Sequence, residues 1–351
     1  MKKSSKIILI VVASIMTVII IFTSIMGVIF GDKIKAANSI EKLSDGLYYM
    51  EYEGDYGFDE FLTQGGAENQ DDVASYVTHF LSGGFAKLEN GEVAFNFGCS
   101  TLTTKKTGSS YVMGRNFDFT GSNPRAMIIH TKPKNGYESY STTWLDFLGF
   151  GEEFVPESMS DKFMSLASVY VPLDGINEKG LCVADLINGD NELTSQSTDK
   201  IDVTTTTAIR LLLDKASNVD EAIELLKQYD MHSDIGRSHH LSISDSTGRS
   251  VVVEYINNEM IVTDTPVVTN HYLSQGEKFG IGNEESHKRY NELIKKSNNT
   301  LSTQDMAKAL ESVSYQDETQ WSIVYDIENL ELDFYFQRQF ENPFEFSIEN
   351  K

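Results

Sequence analysis

The chain has 351 residues, 40% of them hydrophobic, enough to build a sizeable core in one large domain or two small ones. A formal net charge of −23 argues against nucleic acid as a partner, because a phosphate backbone is bound by a Lys/Arg surface that releases its counterions. Two cysteines, Cys99 and Cys182, leave one bridge arithmetically open but exclude a scaffold that depends on disulfides.

Lys2, Lys3 and Lys6 precede an uncharged apolar run from Ile7 to Phe30. That run is close to the ~20 residues that cross a bilayer and longer than the ~7–15 of a signal-peptide core. Residues 1–30 are read as a transmembrane anchor that contacts the membrane through 7–30. The leading lysines stay inside and place the rest outside, a single-pass protein with an extracytoplasmic body. Ala36-Ala37-Asn38 leaves signal cleavage, and hence secretion, as the alternative.

Residues 31–98 form an acidic segment with helical signals over Asp71–Ser82: an Asp pair at the start, Val73, Tyr76, Val77, Phe80 and Leu81 along one face, and Gly83-Gly84 at the stop. A strand over Glu92–Phe97 leads into Gly98-Cys99. Ser100–Thr104 alternates, Lys105–Ser110 is a polar turn, and a return strand from Tyr111 delivers Arg115 and Asp118 near the level of Cys99. A thiol beside a guanidinium and a carboxylate is what a nucleophilic cysteine needs if its thiolate is to be favoured and held. An Arg and an Asp three apart on a strand point to opposite faces unless the strand ends or bulges there.

Ala126–Lys132 and Tyr137–Trp144 flank a Pro133–Gly136 turn as a second hairpin, and Ser168–Leu173 with Gly180–Ile187 make a third. Helices are predicted over Thr205–Ala216, Val219–Tyr229, Glu285–Lys296 and Thr303–Val313. Further strands are predicted over Leu241–Ser244, Val251–Tyr255, Met260–Val268, Ser322–Tyr325 and Leu332–Gln337. Runs of strands separated by paired helices predict an α+β fold with antiparallel sheets.

Gly98-Cys99-Ser100 followed by Gly114-Arg115-Asn116-Phe117-Asp118 resembles the opening of the choloylglycine hydrolase family, linear-amide hydrolases that include bile salt hydrolases and penicillin V acylases. Three further stretches match in order: Gly175-Ile176-Asn177-Glu178-Lys179-Gly180-Leu181, Val268-Thr269-Asn270 and Ser286-His287-Lys288-Arg289-Tyr290. The resemblance implies a four-layer αββα N-terminal-nucleophile sandwich over 99–351, cut from the preceding chain at Gly98–Cys99, which makes 31–98 a pro-segment or small subunit docked on the catalytic part. Cys99 then becomes both nucleophile and, through its free α-amine, base. A thiol of pKa ~8.5 needs such a base, and an α-amine of pKa ~7.7–8.0 is in part neutral. The resemblance also implies that Arg115 lowers the thiol pKa and Asp118 orients the amine. Asn270 would give its side-chain amide to the oxyanion, the backbone at Ile187 or Asn188 the second donor, and Arg289 support to the network.

Phe119, Trp144, Phe147 and Phe150, near Gly149 and Gly151, are candidates for an apolar lid over an acyl group, with core packing the commoner use of such rings. Seven histidines show no chelating spacing, so neither metal nor cofactor is expected. The expectation is an amidase acting on an N-acylated small molecule: a conjugated bile acid, a phenoxyacetyl-type penicillin, or an N-acyl amino acid or lactone. An acyltransferase of the same fold and an inactive surface-binding protein are the rivals, and homo-oligomerisation is left open.

Overall fold

Strand alternation sorts the apolar side chains onto two sheets that face each other, with helices on both outer faces. The computed structural model describes residues 27, 30–83, 97–108, 110–120, 125–150, 154–234 and 236–349. One sheet has six strands, in spatial order Val267–Thr269, Phe97–Lys105, Tyr111–Phe119, Thr319–Asp326, Glu331–Phe336 and Phe344–Ser347, all antiparallel. The other has nine: Glu41–Ser44, Leu47–Gly54, Ala126–Pro133, Ser139–Trp144, Asp174–Asn177, Cys182–Ile187, His239–Ser244, Ser250–Ile256 and Glu259–Asp264.

The period of two sends Met113, Phe117 and Ile323 from the first sheet and Ile128, Trp144 and Ala184 from the second into one shared core. The far face of the nine-stranded sheet, with Met127, Ile129 and Val183, packs on helices Thr205–Lys215 and Val219–Leu226. Leu102, Val112 and Val324 pack on helices Glu284–Ile294 and Thr303–Glu311. The layer order is therefore αββα, as expected. Each of these four helices starts where a side-chain oxygen of Thr204, Asn218, Asn283 or Ser302 accepts a hydrogen bond from a first-turn N–H.

Several elements differ from expectation. The segment before Cys99 contributes a hairpin, Glu41–Ser44 with Leu47–Gly54, whose second strand pairs in parallel with Ala126–Pro133. Its helix runs over Gln70–Leu81, and a shorter one over Phe58–Thr63 precedes it. Ser168–Leu173 is not a strand: residues 165–170 form a 3-10 turn, and pairing starts at Asp174. Pro172 has no N–H for a ladder, and Tyr170 turns onto Phe58, Phe61 and Tyr76. Met260–Val268 divides at Thr265-Pro266 into two strands that belong to different sheets. Tyr229 leaves its expected helix for a short parallel strand, Tyr229–His232, on Ile201–Thr204. The anchor at 7–30 falls, except for residues 27 and 30, outside the described residues, as do 92–96 of the expected strand before Gly98. Among the described residues no helix is long and apolar enough to cross a membrane.

Candidate active site

Register places the candidate residues. In the hairpin, Cys99 lies opposite Phe117, Gly98 opposite Asp118 and Thr101 opposite Arg115. On the other edge Thr269 pairs with Ser100, so Asn270, one residue further on, arrives beside Cys99. The Cys99 N–H donates to Asn270 Oδ1 at 2.7 Å. The Cys99 side chain points into the inter-sheet core and is 2% exposed.

Arg115 shares that inter-sheet face. Its Nη2 lies 3.9 Å from Cys99 Sγ and donates to the Asp185 carbonyl at 2.7 Å, while Nη1 lies 3.0 Å from Asp174 Oδ2. Asp174 also accepts from Thr142 Oγ1 (2.5 Å), Tyr325 Oη (2.9 Å) and Trp321 Nε1 (3.3 Å). It immediately precedes the Gly175–Leu181 motif, and a buried carboxylate able to neutralise Arg115 is the signal by which it could have been found. Within that motif Asn177 is a structural staple. Its amide donates to the Leu213 and Ala216 carbonyls and its oxygen accepts from the Lys179 and Leu181 N–H groups, closing the turn that feeds Cys182–Ile187.

Asp118 points the other way, into the helix layer. Thr319 Oγ1 donates to its Oδ1 at 2.5 Å, and its Oδ2 lies 3.4 Å from Arg289 Nη1. Arg289 is brought there by helix Glu284–Ile294, whose first turn is tied down where Thr269 Oγ1 donates to the Ser286 carbonyl at 3.1 Å. From that helix Arg289 donates through Nη1 to the Cys99 carbonyl and through Nη2 to Asn270 Oδ1 at 2.8 Å. It is buried and lies over the ring of Tyr315, not on a solvated helix face.

Asn270 is held at both ends of its amide, its Oδ1 shared by Cys99 and Arg289 and one Nδ2 hydrogen donated to the Ile187 carbonyl at 2.7 Å. Asn188 follows Ile187, whose carbonyl is bonded to Asn270. Its N–H donates to the Ser238 carbonyl and its Oδ1 accepts from the Gly189 N–H.

The thiol is not activated in the unbroken chain. Burial pushes it up to about 12, and the lowering expected from Arg115 is present but outweighed by burial, with Asp118 and Asp185 adding to the rise. Burial also raises the Asp118 carboxyl to about 6, with Arg289 and Thr319 pulling it back. The expected aromatic lid is corrected in part. Phe119 and Trp144 pack face to edge inside the inter-sheet core with Phe117 and Trp321, where large rings fill the end of the sandwich. Phe147 packs edge-on against Phe119, and Phe150 packs at a tilt against Phe154; 151–153 between them lie outside the described residues.

A cysteine at the start of a strand, gripped at thiol, nitrogen and carbonyl between two sheets, is the arrangement of an amide hydrolase of the αββα class. Residues 99–324 match the family of linear amide C-N hydrolases, choloylglycine hydrolase family, and the chain belongs to that family. It is a hydrolase of linear C–N amide bonds. A penicillin V acylase from Pectobacterium atrosepticum is 30% identical over 142 residues, a match that spans 37% of this chain and 36% of that relative's length. Crystal structures of two variants of conjugated bile acid hydrolase from Clostridium perfringens share the fold. The first has a TM-score of 0.52 at 19% identity, covering 72% of this chain and 93% of that one. The second has a TM-score of 0.52 at 18% identity, covering 71% and 92%.

Proposed function

We propose that the chain cuts itself between Gly98 and Cys99 and then hydrolyses the amide of an N-acylated small molecule through a thioester on Cys99. The observation that carries this reading is the grip on the Cys99 backbone: Asn270 on its nitrogen and Arg289 on its carbonyl, with Arg115 beside the sulfur. A cysteine that merely fills a core needs no such partners.

In self-cleavage, Sγ attacks the Gly98 carbonyl carbon and the thiol proton passes to the Cys99 nitrogen. The C–N bond breaks and leaves Gly98 as a thioester, and water then releases its carboxylate and frees the thiol. In turnover the new α-amine takes the thiol proton, and the sulfur attacks the substrate carbonyl. Asn270 supports the oxyanion, and the amine leaves with the proton. Water cleaves the thioester and releases the acid.

The substrate class is an amide of an apolar carboxylic acid; penicillin V and conjugated bile acids, for which the relatives are named, are two members. The apolar run at 7–30 supports a membrane-tethered, extracytoplasmic enzyme whose pro-segment stays docked through Leu47–Gly54. Intact-mass measurement of purified protein tests the reading: the wild type yields a fragment beginning at Cys99, and Cys99→Ala remains one chain. Wild type that stays uncut and yet hydrolyses penicillin V, glycine-conjugated bile acids or N-acyl amino acids would show that the amine is not the base.

A further inference from the structure

Seven large apolar side chains are exposed among the described residues, and three of them, Leu193, Phe279 and Ile281, lie on two loops strapped together beside Asn270. The loops are residues 188–193, which follow the strand ending at Ile187, and 276–282. Their backbones touch. A Cβ on Gly189 would fall 1.8 Å from the Ile281 carbonyl oxygen, and one on Gly282 would fall 2.3 Å from His271 Cβ and 2.7 Å from the Asn270 carbonyl oxygen. Ile281 O accepts from the Tyr272 N–H at 3.1 Å, and the Gly280 N–H donates back to Tyr272 O at 2.9 Å. Lys278 closes the pair from outside by bridging Asp190 and Glu192, and Tyr272 Oη donates to Asp190 at 2.9 Å.

The strap leaves Phe279 55% and Ile281 41% exposed. Exposed apolar residues gathered at one end of a fold mark a binding surface more often than scattered ones do. The rings expected to line the site, Phe119 and Trp144, are consumed by the inter-sheet core. Among the described residues, Phe279 and Ile281 are exposed large apolar side chains on a loop whose backbone meets that of Asn270.

We propose that the 188–193 and 276–282 loops form the acyl-specificity rim of the enzyme, with Phe279, Ile281 and Leu193 receiving the aliphatic chain of an N-acyl amide. The inference rests on the amidase reading. The reacting carbonyl sits between Cys99 and Asn270, and the rim begins at the backbone of Asn270 itself, so a chain leaving the carbonyl over Gly282 runs onto Ile281 and Phe279. A long unbranched acyl group gains from this surface; a short one does not reach it.

The test compares processed wild type with the double variant Phe279→Ser/Ile281→Ser and with Ile201→Ser, an exposed apolar position on another part of the surface. N-butanoyl-, N-octanoyl- and N-dodecanoylglycine are the substrates. The rim predicts that the double variant raises KM for the dodecanoyl substrate about tenfold, leaves the butanoyl KM and all kcat values unchanged, and that Ile201→Ser changes nothing. Equal effects on all chain lengths, or none, overturn it. Binding of dodecanoate to the same proteins, by calorimetry, keeps the two readings apart. If no N-acylglycine is hydrolysed but dodecanoate binds and the double variant loses it, the amidase reading fails for these substrates and the rim stands. If dodecanoate binding is the same in both proteins, the rim is wrong whatever the activity. A wild-type dimer that the double variant dissolves assigns the patch to a second copy of the chain and overturns the proposal.

Discussion

Arg115 and Asp118 leave the same strand on opposite faces and meet Cys99 from two sides. Tyr111–Phe119 pairs with Phe97–Lys105 in unbroken register, so alternation sends Arg115 between the sheets toward the sulfur and Asp118 into the helix layer toward Gly98 and Arg289. No bulge brings them together. The cation lies beside the thiol, and the carboxylate is held by Thr319 and Arg289.

Gly98 is constrained by space and not by backbone strain. It is absent from the glycines with φ in the left-handed region, but a Cβ on it would stand 3.2 Å from Asp118 Cβ and 3.3 Å from Asp118 Oδ2. Gly98→Ala is expected to slow self-cleavage and Gly98→Val to abolish it over the same period, followed as loss of the full-length band. A Val variant that processes at the wild-type rate would remove the crowding argument.

Asn270 holds the Cys99 nitrogen before cleavage and is proposed to serve the oxyanion afterwards. Asn270→Ala is therefore expected to slow processing and, in protein whose N-terminus is verified as Cys99, to lower kcat by ~10²–10³ with a small change in KM. A variant with normal kcat and only a raised KM would make Asn270 a binding residue, and the oxyanion would need another donor.

Asp118 gives a pH dependence of defined sign. Its folded pKa of about 6 lies above the unfolded value of about 3.9, because burial outweighs Arg289 and Thr319. The folded state binds the proton more tightly, so this contribution to stability is present below pH ~4 and is lost as pH rises through ~6. Urea unfolding of uncut Cys99→Ala and of Cys99→Ala/Asp118→Asn, from pH 4 to pH 7, should show the difference in ΔG shift by about 2 kcal/mol in favour of the Asn protein. A difference that stays flat would show that Asp118 is ionised throughout.

His239 should act at higher pH. Its Nδ1 lies 2.9 Å from Asp185 Oδ1 and its Nε2 2.9 Å from the Asp234 carbonyl oxygen. Both partners only accept, so both ring nitrogens carry protons. Burial pulls its pKa down, but Asp185 and Asp234 outweigh burial and raise it above the ordinary value. The stability it contributes is present below pH ~6.5 and is lost as pH rises through the folded pKa. His239→Gln should be less stable than wild type at pH 6, with the gap closing on the alkaline side in thermal melts. A gap independent of pH would mean that packing alone was lost.

The hairpin around Cys99, the order of the motifs and the amphipathic helices are legible in the chain because each is set by neighbours a few residues away. The turn after Lys105, the Asn177 turn closed by the Lys179 and Leu181 N–H groups, and the caps at Thr204 and Asn283 are of this kind. What surrounds the thiol is not local. Asn270 reaches Cys99 only because the chain changes sheets at Pro266 and pairs Val267–Thr269 on Ser100–Leu102. Arg289 reaches it across the helix layer, and Asp174 claims Arg115 from the opposite sheet. The strand Leu47–Gly54 has a local turn signal, Asp45-Gly46, toward Glu41–Ser44, but its parallel pairing with Ala126–Pro133 spans the intervening chain and leaves no local signal. The rings of Phe119 and Trp144 suit either a lid or, more commonly, a core, and their packing with Phe117 and Trp321 between the sheets puts them in the core. The residues able to do the chemistry are thus written in the sequence. Their partners, and with them the ionisation of the thiol, depend on which surfaces the two sheets bury, a property of the packed chain.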